Sequence, residues 1–173
     1  VRRVGGITPE IAVINSHDGS RRFSISMGFF RLVCSNGLTT GTSMAQTKAR
    51  HLNIDFDSLK ETIDETALGF GEIADKVDQY GQIALTPEQR LDFAERAMEL
   101  RFGDKRPFEA EKLLLTRRPA DEHTDLFTTF NVIQENAVKG GIAYRSGKRM
   151  VKTRAITTVV NDLKLNTGLW DVM

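Results

Sequence analysis

Apolar and polar residues alternate most clearly in "RRFSISMGFF", where Phe23, Ile25, Met27 and Phe29 are separated by Ser24, Ser26 and Gly28. A period of two gives a strand with one apolar and one small polar face. Before it, "EIAVIN" (Glu10 to Asn15) is rich in β-branched residues and is closed by "SHDG", whose Asp18-Gly19 pair suits a tight hairpin turn. The pattern therefore predicts two paired strands. "FRLVCSNGL" fits a strand or a helical turn ended by Gly37, and "TTGTSMAQTKARH" returns to weak alternation, predicting a third strand.

From Asn53 the period lengthens to that of a helix. Ser58-x-x-Glu61 has capping-box form, and Leu59, Ile63, Ala67, Phe70, Ala74 and Val77 recur at spacings of three and four, leaving the carboxylates mostly outward. Thr86-Pro87-Glu88-Gln89 opens a second helix ending near Gly103, with Leu91, Ala94, Met98 and Phe102 as its buried stripe. "PFEAEKLLL" predicts a short helix before the loop "TRRPADEH". A further helix over "DLFTTFNVIQENAVKGG" lines up Leu126, Phe130, Ile133 and Ala137 and stops at Gly140-Gly141. "IAYRSGKRMV" predicts a strand and basic turn, and Thr153 to Trp170 predicts a last helix carrying Ile156, Val160, Leu163 and Trp170.

Strands first and helices later imply an α+β domain, a small antiparallel sheet covered by helices. The expected organisation is one domain over 1–173, with a β-rich part at 7–52, a helical part at 55–140 and a basic strand-turn-helix at 141–171. The 173 residues suit one core. No apolar run approaches the length of a membrane span, no signal peptide opens the chain, and a soluble cytoplasmic protein is expected. A first residue of Val1 suggests a preceding segment. Cys34 is the only cysteine, so neither an internal disulfide nor a cysteine zinc site is expected.

A net charge of +1 hides a partition along the chain. "AVKGGIAYRSGKRMVKTRAITTVV" carries Lys139, Arg145, Lys148, Arg149, Lys152 and Arg154 and no carboxylate, whereas Asp55 to Asp78 holds eight carboxylates against Lys60 and Lys76. Clustered cations that neutralise phosphates release condensed counterions, so such a segment suits nucleic acid. Its rival reading is a solvated face, or pairing with the acidic helix. Arg117-Arg118 either extends a phosphate track through the guanidinium fork or forms a local salt-bridged loop with Asp121 and Glu122. Tyr144, flanked by cations, is the candidate for stacking on a base, while Phe23 and Phe127 belong to the core. Arg21 and Arg22 add a second basic pair. Asn131, Gln134, Glu135 and Asn136 span at least two helix faces and either contact a base edge or sugar or satisfy buried backbone groups of the sheet, the structural role being the favoured one. His17-Asp18 and Glu122-His123 lack metal-ligand spacing, and neither GxxxxGK[ST] nor GxSxG occurs, so no metal, cofactor or catalytic residue is expected.

"NSHDGS", "FFRLVCSNGL", "KARH", "TRRPADEHTDLFTTFNVIQENAVKGG" and "KTRAITTVVNDLKLNTGLW" resemble, in order and spacing, the motifs of a bacterial family of phage- and plasmid-borne proteins labelled a domain of unknown function. The resemblance runs from Asn15 to Trp170 and departs at Phe127, where the family often has tryptophan. It implies residence on a mobile element and carries over no catalytic residue. At the level of fold, a hairpin-rich sheet followed by helices is similar to phage single-strand annealing proteins of the RecT and Redβ type. The expectation is a non-enzymatic, oligomeric protein that holds single-stranded DNA in a basic groove and assists annealing or recombination. Its binding residues would be Arg21, Arg22, Arg117, Arg118, Tyr144, Arg145, Lys148, Arg149, Lys152 and Arg154. The alternative is an interaction protein that blocks a host defence or DNA-processing complex through its acidic helix.

Overall fold

A computed structural model describes residues 7–14, 23–31, 37–39, 47–49 and 56–173. The fold is α+β, as expected, and the chain divides into two compact units, Val1–Lys76 and Val77–Met173.

In the first unit, β1 (Ile7–Ile14) pairs antiparallel with β2 (Phe23–Arg31), Ile7 opposite Arg31 and Ile14 opposite Ser24. The alternating run is thus a strand along its whole length. Two short strands also pair with β2: β3 (Gly37–Thr39) with Gly28–Phe30, and β4 (Thr47–Ala49) with Phe23–Ile25. "FFRLVCSNGL" therefore enters and leaves in strand conformation. The predicted Asp18-Gly19 turn lies outside the described residues, as do Arg21 and Arg22. α1 (Phe56–Tyr80) follows, with Asp57, Glu61, Asp64, Asp75 and Asp78 exposed and Val77 buried.

The second unit is built round a helix with almost no exposed side. α2 (Pro87–Phe102) begins as expected: Thr86 Oγ1 accepts from the Gln89 amide at 3.3 Å and Gln89 Oε1 accepts from the Thr86 amide at 2.9 Å. Its buried residues are Phe93, Ala94, Ala97 and Met98, so the inward face is broader than the predicted stripe, with Leu91 and Phe102 half-buried at its margins. "PFEAEKLLL" forms a 3₁₀ turn over Ala110–Leu114 rather than an α-helix, with Leu113 fully buried. α3 (Leu126–Lys139) starts at Asp125, whose carboxylate accepts from the Thr128 amide at 2.8 Å. Every residue from Leu126 to Ala137 is buried. The Phe130 ring meets Phe93 at 6.3 Å and Trp170 at 5.8 Å, and Trp170 meets Tyr80 at 5.7 Å. Aromatic pairs at such separations add about 0.5–1.5 kcal/mol each beyond burial.

After α3 the chain forms a hairpin, β5 (Ala143–Ser146) and β6 (Arg149–Lys152). α4 (Val159–Asp171) closes the unit, burying Leu165 and Leu169. Helix was expected from Thr153, but residues 153–158 are not helical, because Thr153 and Ile156 give their amides to other elements: Thr153 N to Ile142 O at 3.0 Å and Ile156 N to Val138 O at 2.8 Å. Among the described residues no helix is long and apolar enough to cross a membrane.

Candidate functional site

The basic segment is a two-residue hairpin in which Ser146 faces Arg149, and Gly147 has φ +60. A glycine at the first central position is what a II′ turn requires. Opposed residues share a face, so the register Ala143↔Lys152 and Arg145↔Met150 puts Arg145, Met150 and Lys152 together on one side. Tyr144, Val151, Ser146 and Arg149 occupy the other, and Lys148 sits at the tip. Tyr144 itself packs inward, its ring 5.9 Å from Phe108, which meets Phe102 of α2 at 5.4 Å, while Ser146 and Arg149 on the same face stay exposed nearer the turn. Tyr144 is therefore half-buried and anchors the hairpin. Further bonds fix the base of the hairpin, Thr153 Oγ1 accepting from Ile142 N at 3.1 Å and Ala143 O accepting from Lys112 Nζ at 3.2 Å.

Arg145, Lys148, Arg149, Lys152 and Arg154 are all exposed. Among the described residues, ion pairs join Arg96 to Asp92, Arg118 to Asp121 and Glu135, and Lys139 to Glu135, and none reaches these five cations. Exposure is unsurprising, since burying an unpaired charge is prohibitively costly. The informative point is that five cations gather within ten residues with no carboxylate to offset them. Met150, 69% exposed between Arg145 and Lys152, adds an apolar surface that residue chemistry alone did not single out. Cross-strand register was the signal that could have found it.

The two arginines of "TRRPADEH" behave differently from the hairpin. Arg118 Nη1 lies 2.8 Å from Asp121 Oδ2, and its Nη2 donates to both oxygens of Glu135 at 2.6 and 2.7 Å. Asp121 and Glu135 are buried, so this guanidinium is committed to the protein's own carboxylates, Asp121 within the loop and Glu135 on α3, 17 residues along the chain. Burial by itself would raise the Glu135 carboxyl's pKa, but hydrogen bonds and charge from Arg118 and Lys139 outweigh it and hold the pKa below its ordinary value. Arg117 is exposed, with Nε donating to Asn136 Oδ1 and Nη2 to Gly140 O, both at 3.0 Å. Asn136 in turn gives Nδ2 to Leu113 O at 2.9 Å and Leu115 O at 2.8 Å. The polar residues of "NVIQEN" thus tie loops and helices together, Gln134 Nε2 reaching Asn166 Oδ1 at 2.9 Å, in keeping with the structural role assigned to them.

The carboxyl end of α3 is held by two guanidiniums. Arg117 takes the Gly140 carbonyl, and Arg101 takes the Ala137 carbonyl at 3.1 Å and the Arg154 carbonyl at 3.0 Å. Cations there meet the negative end of the helix dipole and satisfy carbonyls that the helix leaves open. Gly140 makes the crossing possible: a Cβ on it would stand 2.8 Å from Thr153 O and from Arg154 C. A hollow of about 450 Å³ lies beside β5, lined by Lys112, Leu115, Arg117 and Ile142 among others. Among the described residues no group of three histidine, cysteine, aspartate or glutamate side chains could hold a metal ion.

The sequence matches the family described as "Domain of unknown function (DUF932)" over residues 2–170. The chain belongs to the DUF932 family. Two curated relatives from Escherichia coli (strain K12), the UPF0380 proteins YfjQ and YafZ, are each 37% identical to it over 176 residues. That alignment covers 98% of this chain and 64% of each relative, so the chain spans a little under two thirds of their length. No solved structure matches. DUF932 membership agrees with the expectation of a family of unknown function. The stretch "TRRPADEHTDLFTTFNVIQENAVKGG" carries several contacts that hold the second unit together, through Arg117, Arg118, Asp121, Glu135, Asn136 and Gly140.

Proposed function

We propose that the β5–β6 hairpin is a docking surface for single-stranded nucleic acid, and that this DUF932 chain is a non-enzymatic, cytoplasmic, oligomeric DNA-binding protein of a phage- or plasmid-type mobile element that assists annealing or recombination. The carrying observation is the group of five exposed cations, Arg145, Lys148, Arg149, Lys152 and Arg154, with no described carboxylate paired to them. Phosphates supply the missing counter-charge. Met150, set between Arg145 and Lys152, offers an unpaired base an apolar contact that a duplex keeps stacked inside. Arg117 borders the same region, Tyr144 holds the hairpin in place, and Arg118 drops out because two buried carboxylates occupy it.

The test is the salt dependence of oligonucleotide binding by fluorescence anisotropy. If the five cations each neutralise one phosphate of a single strand, the slope of log affinity against log salt is about −3.5, and affinity falls about a hundredfold between about 50 and about 200 mM salt. Replacing Lys148, Arg149 and Lys152 together by alanine should bring the slope to about −1.4 and remove most of the low-salt affinity. Unchanged binding by that variant refutes the assignment. Reversing charge at Glu61, Asp64 and Glu65 should leave oligonucleotide binding intact. Sedimentation of the free and DNA-bound chain tests the oligomer.

A further inference from the structure

A second hollow, of about 370 Å³, opens between the end of α2, the connection after β6 and the start of α4. Its charge is one-sided. Arg101 and Lys164 line it, and among the described residues no carboxylate does. The Arg101 guanidinium is held by two neutral acceptors, the Ala137 and Arg154 carbonyls, at 3.1 and 3.0 Å, so its position is set while its charge has no counter-ion among the described residues. Burial lowers its pKa, which is the mark of a cation that would gain from an anion beside it.

Neutral donors surround the same space. Thr157, Thr158 and Asn161 line the hollow, and none of their side chains bonds to a described residue; Thr158 precedes α4 without a side-chain cap bond. Leu100, Ile156 and Leu165 line the same hollow and make part of its surface apolar. Leu100 remains 45% exposed, and its Cδ2 would lie 3.1 Å from a Cβ on Gly168, so it lies close over α4. The connection itself is pinned to α3 by Ile156 N donating to Val138 O at 2.8 Å, which makes the wall preformed. Two cations, neutral donors and apolar side chains in one lining, with a volume near the lower limit of ligand pockets, roughly 300–1,000 Å³, together describe one small amphiphilic anion.

We infer that this hollow binds a nucleoside monophosphate, its phosphate at Arg101 and Lys164 and its ring against Leu100 and Ile156, whether as a free nucleotide or as the 5′-phosphorylated end of a strand. The inference does not require the hairpin to bind DNA, although Arg154 leads from one surface to the other. Isotope-labelled full chain is titrated with thymidine 5′-monophosphate, with thymidine and with inorganic phosphate. The expected result is amide shifts at Thr157, Asn161 and Lys164 that saturate with the monophosphate and are weaker with either fragment. Lys164→Glu, at an exposed position, should weaken monophosphate binding about tenfold or more, by loss of a charged hydrogen bond and gain of repulsion. A companion arm compares oligonucleotides with and without a 5′-phosphate. A gain from that phosphate that Lys164→Glu abolishes identifies the strand end, and its absence alongside saturable monophosphate shifts identifies the free nucleotide. No saturable shifts at these amides, or shifts confined to the hairpin, overturn the site and leave the hairpin reading standing. Failure of wild type to bind any oligonucleotide overturns the hairpin reading alone.

Discussion

Gly140→Ala tests how the end of α3 positions everything after it. Gly140 has φ +63 and ψ −141, and Gly103, at the end of α2, has φ +60 and ψ −145. The two therefore share one backbone conformation that an L side chain adopts at a cost of about 1–3 kcal/mol, offset by about 0.4–1 kcal/mol of unfolded-state entropy when glycine becomes alanine. These contributions cancel in a comparison of Gly140→Ala with Gly103→Ala. What differs is the surroundings. A Cβ at Gly103 meets nothing within 4 Å, whereas at Gly140 it stands 2.8 Å from Thr153 O, 2.8 Å from Arg154 C and 2.9 Å from Arg154 O. All three are backbone atoms that cannot rotate away, so overpacking of about 1–3 kcal/mol is added at Gly140 alone. Gly140→Ala should thus be less stable than Gly103→Ala by about 2 kcal/mol. Urea unfolding reads this through Trp170, the single tryptophan, whose ring contacts Phe130 and Tyr80 in the same unit. Equal destabilisation of the two variants would refute the claim that close approach of the 153–154 backbone, rather than helix-end conformation, demands glycine there.

Three further outcomes follow from the same unit. The Glu135 carboxyl is held below its ordinary pKa, so the folded state binds fewer protons there than the unfolded one. Its stabilisation is complete above the unfolded value of about 4.3 and is lost as pH falls through the lower folded value; Glu135→Gln should flatten that acid limb and cost about 2 kcal/mol at neutral pH, and parallel pH profiles for variant and wild type would contradict this. Asn136→Ala strips a donor from the Leu113 and Leu115 carbonyls and an acceptor from Arg117, with an expected loss of about 3 kcal/mol in urea unfolding. Thr129 is fully buried and its hydroxyl oxygen has no hydrogen-bond partner among the described residues, so Thr129→Val should be neutral or stabilising by up to about 1 kcal/mol, and clear destabilisation would show that the hydroxyl is satisfied.

Local periodicity was enough to read much of the architecture. The alternation at Phe23 to Phe29, the Thr86-Pro87-Glu88-Gln89 cap and the glycines after Lys139 each specify structure through neighbours a few residues away, and each appears where expected. The 3₁₀ turn at Ala110–Leu114 and the non-helical 153–158 stretch departed from expectation because distant partners outweigh helix propensity: Leu113 O is taken by Asn136, and Ile156 N goes to Val138. The same division holds for charge. Composition located the basic segment, and the hairpin left its cations exposed as their desolvation cost requires. Which arginines stay available was a matter of packing. Arg118 and Arg145 are chemically alike, yet the fold delivers two buried carboxylates to one and, among the described residues, none to the other. Short-range rules reach only a few residues along the chain, whereas Arg118 meets Glu135 across 17 residues and Arg101 meets the Arg154 carbonyl across 53, and contacts of that span exist only after the helices have packed.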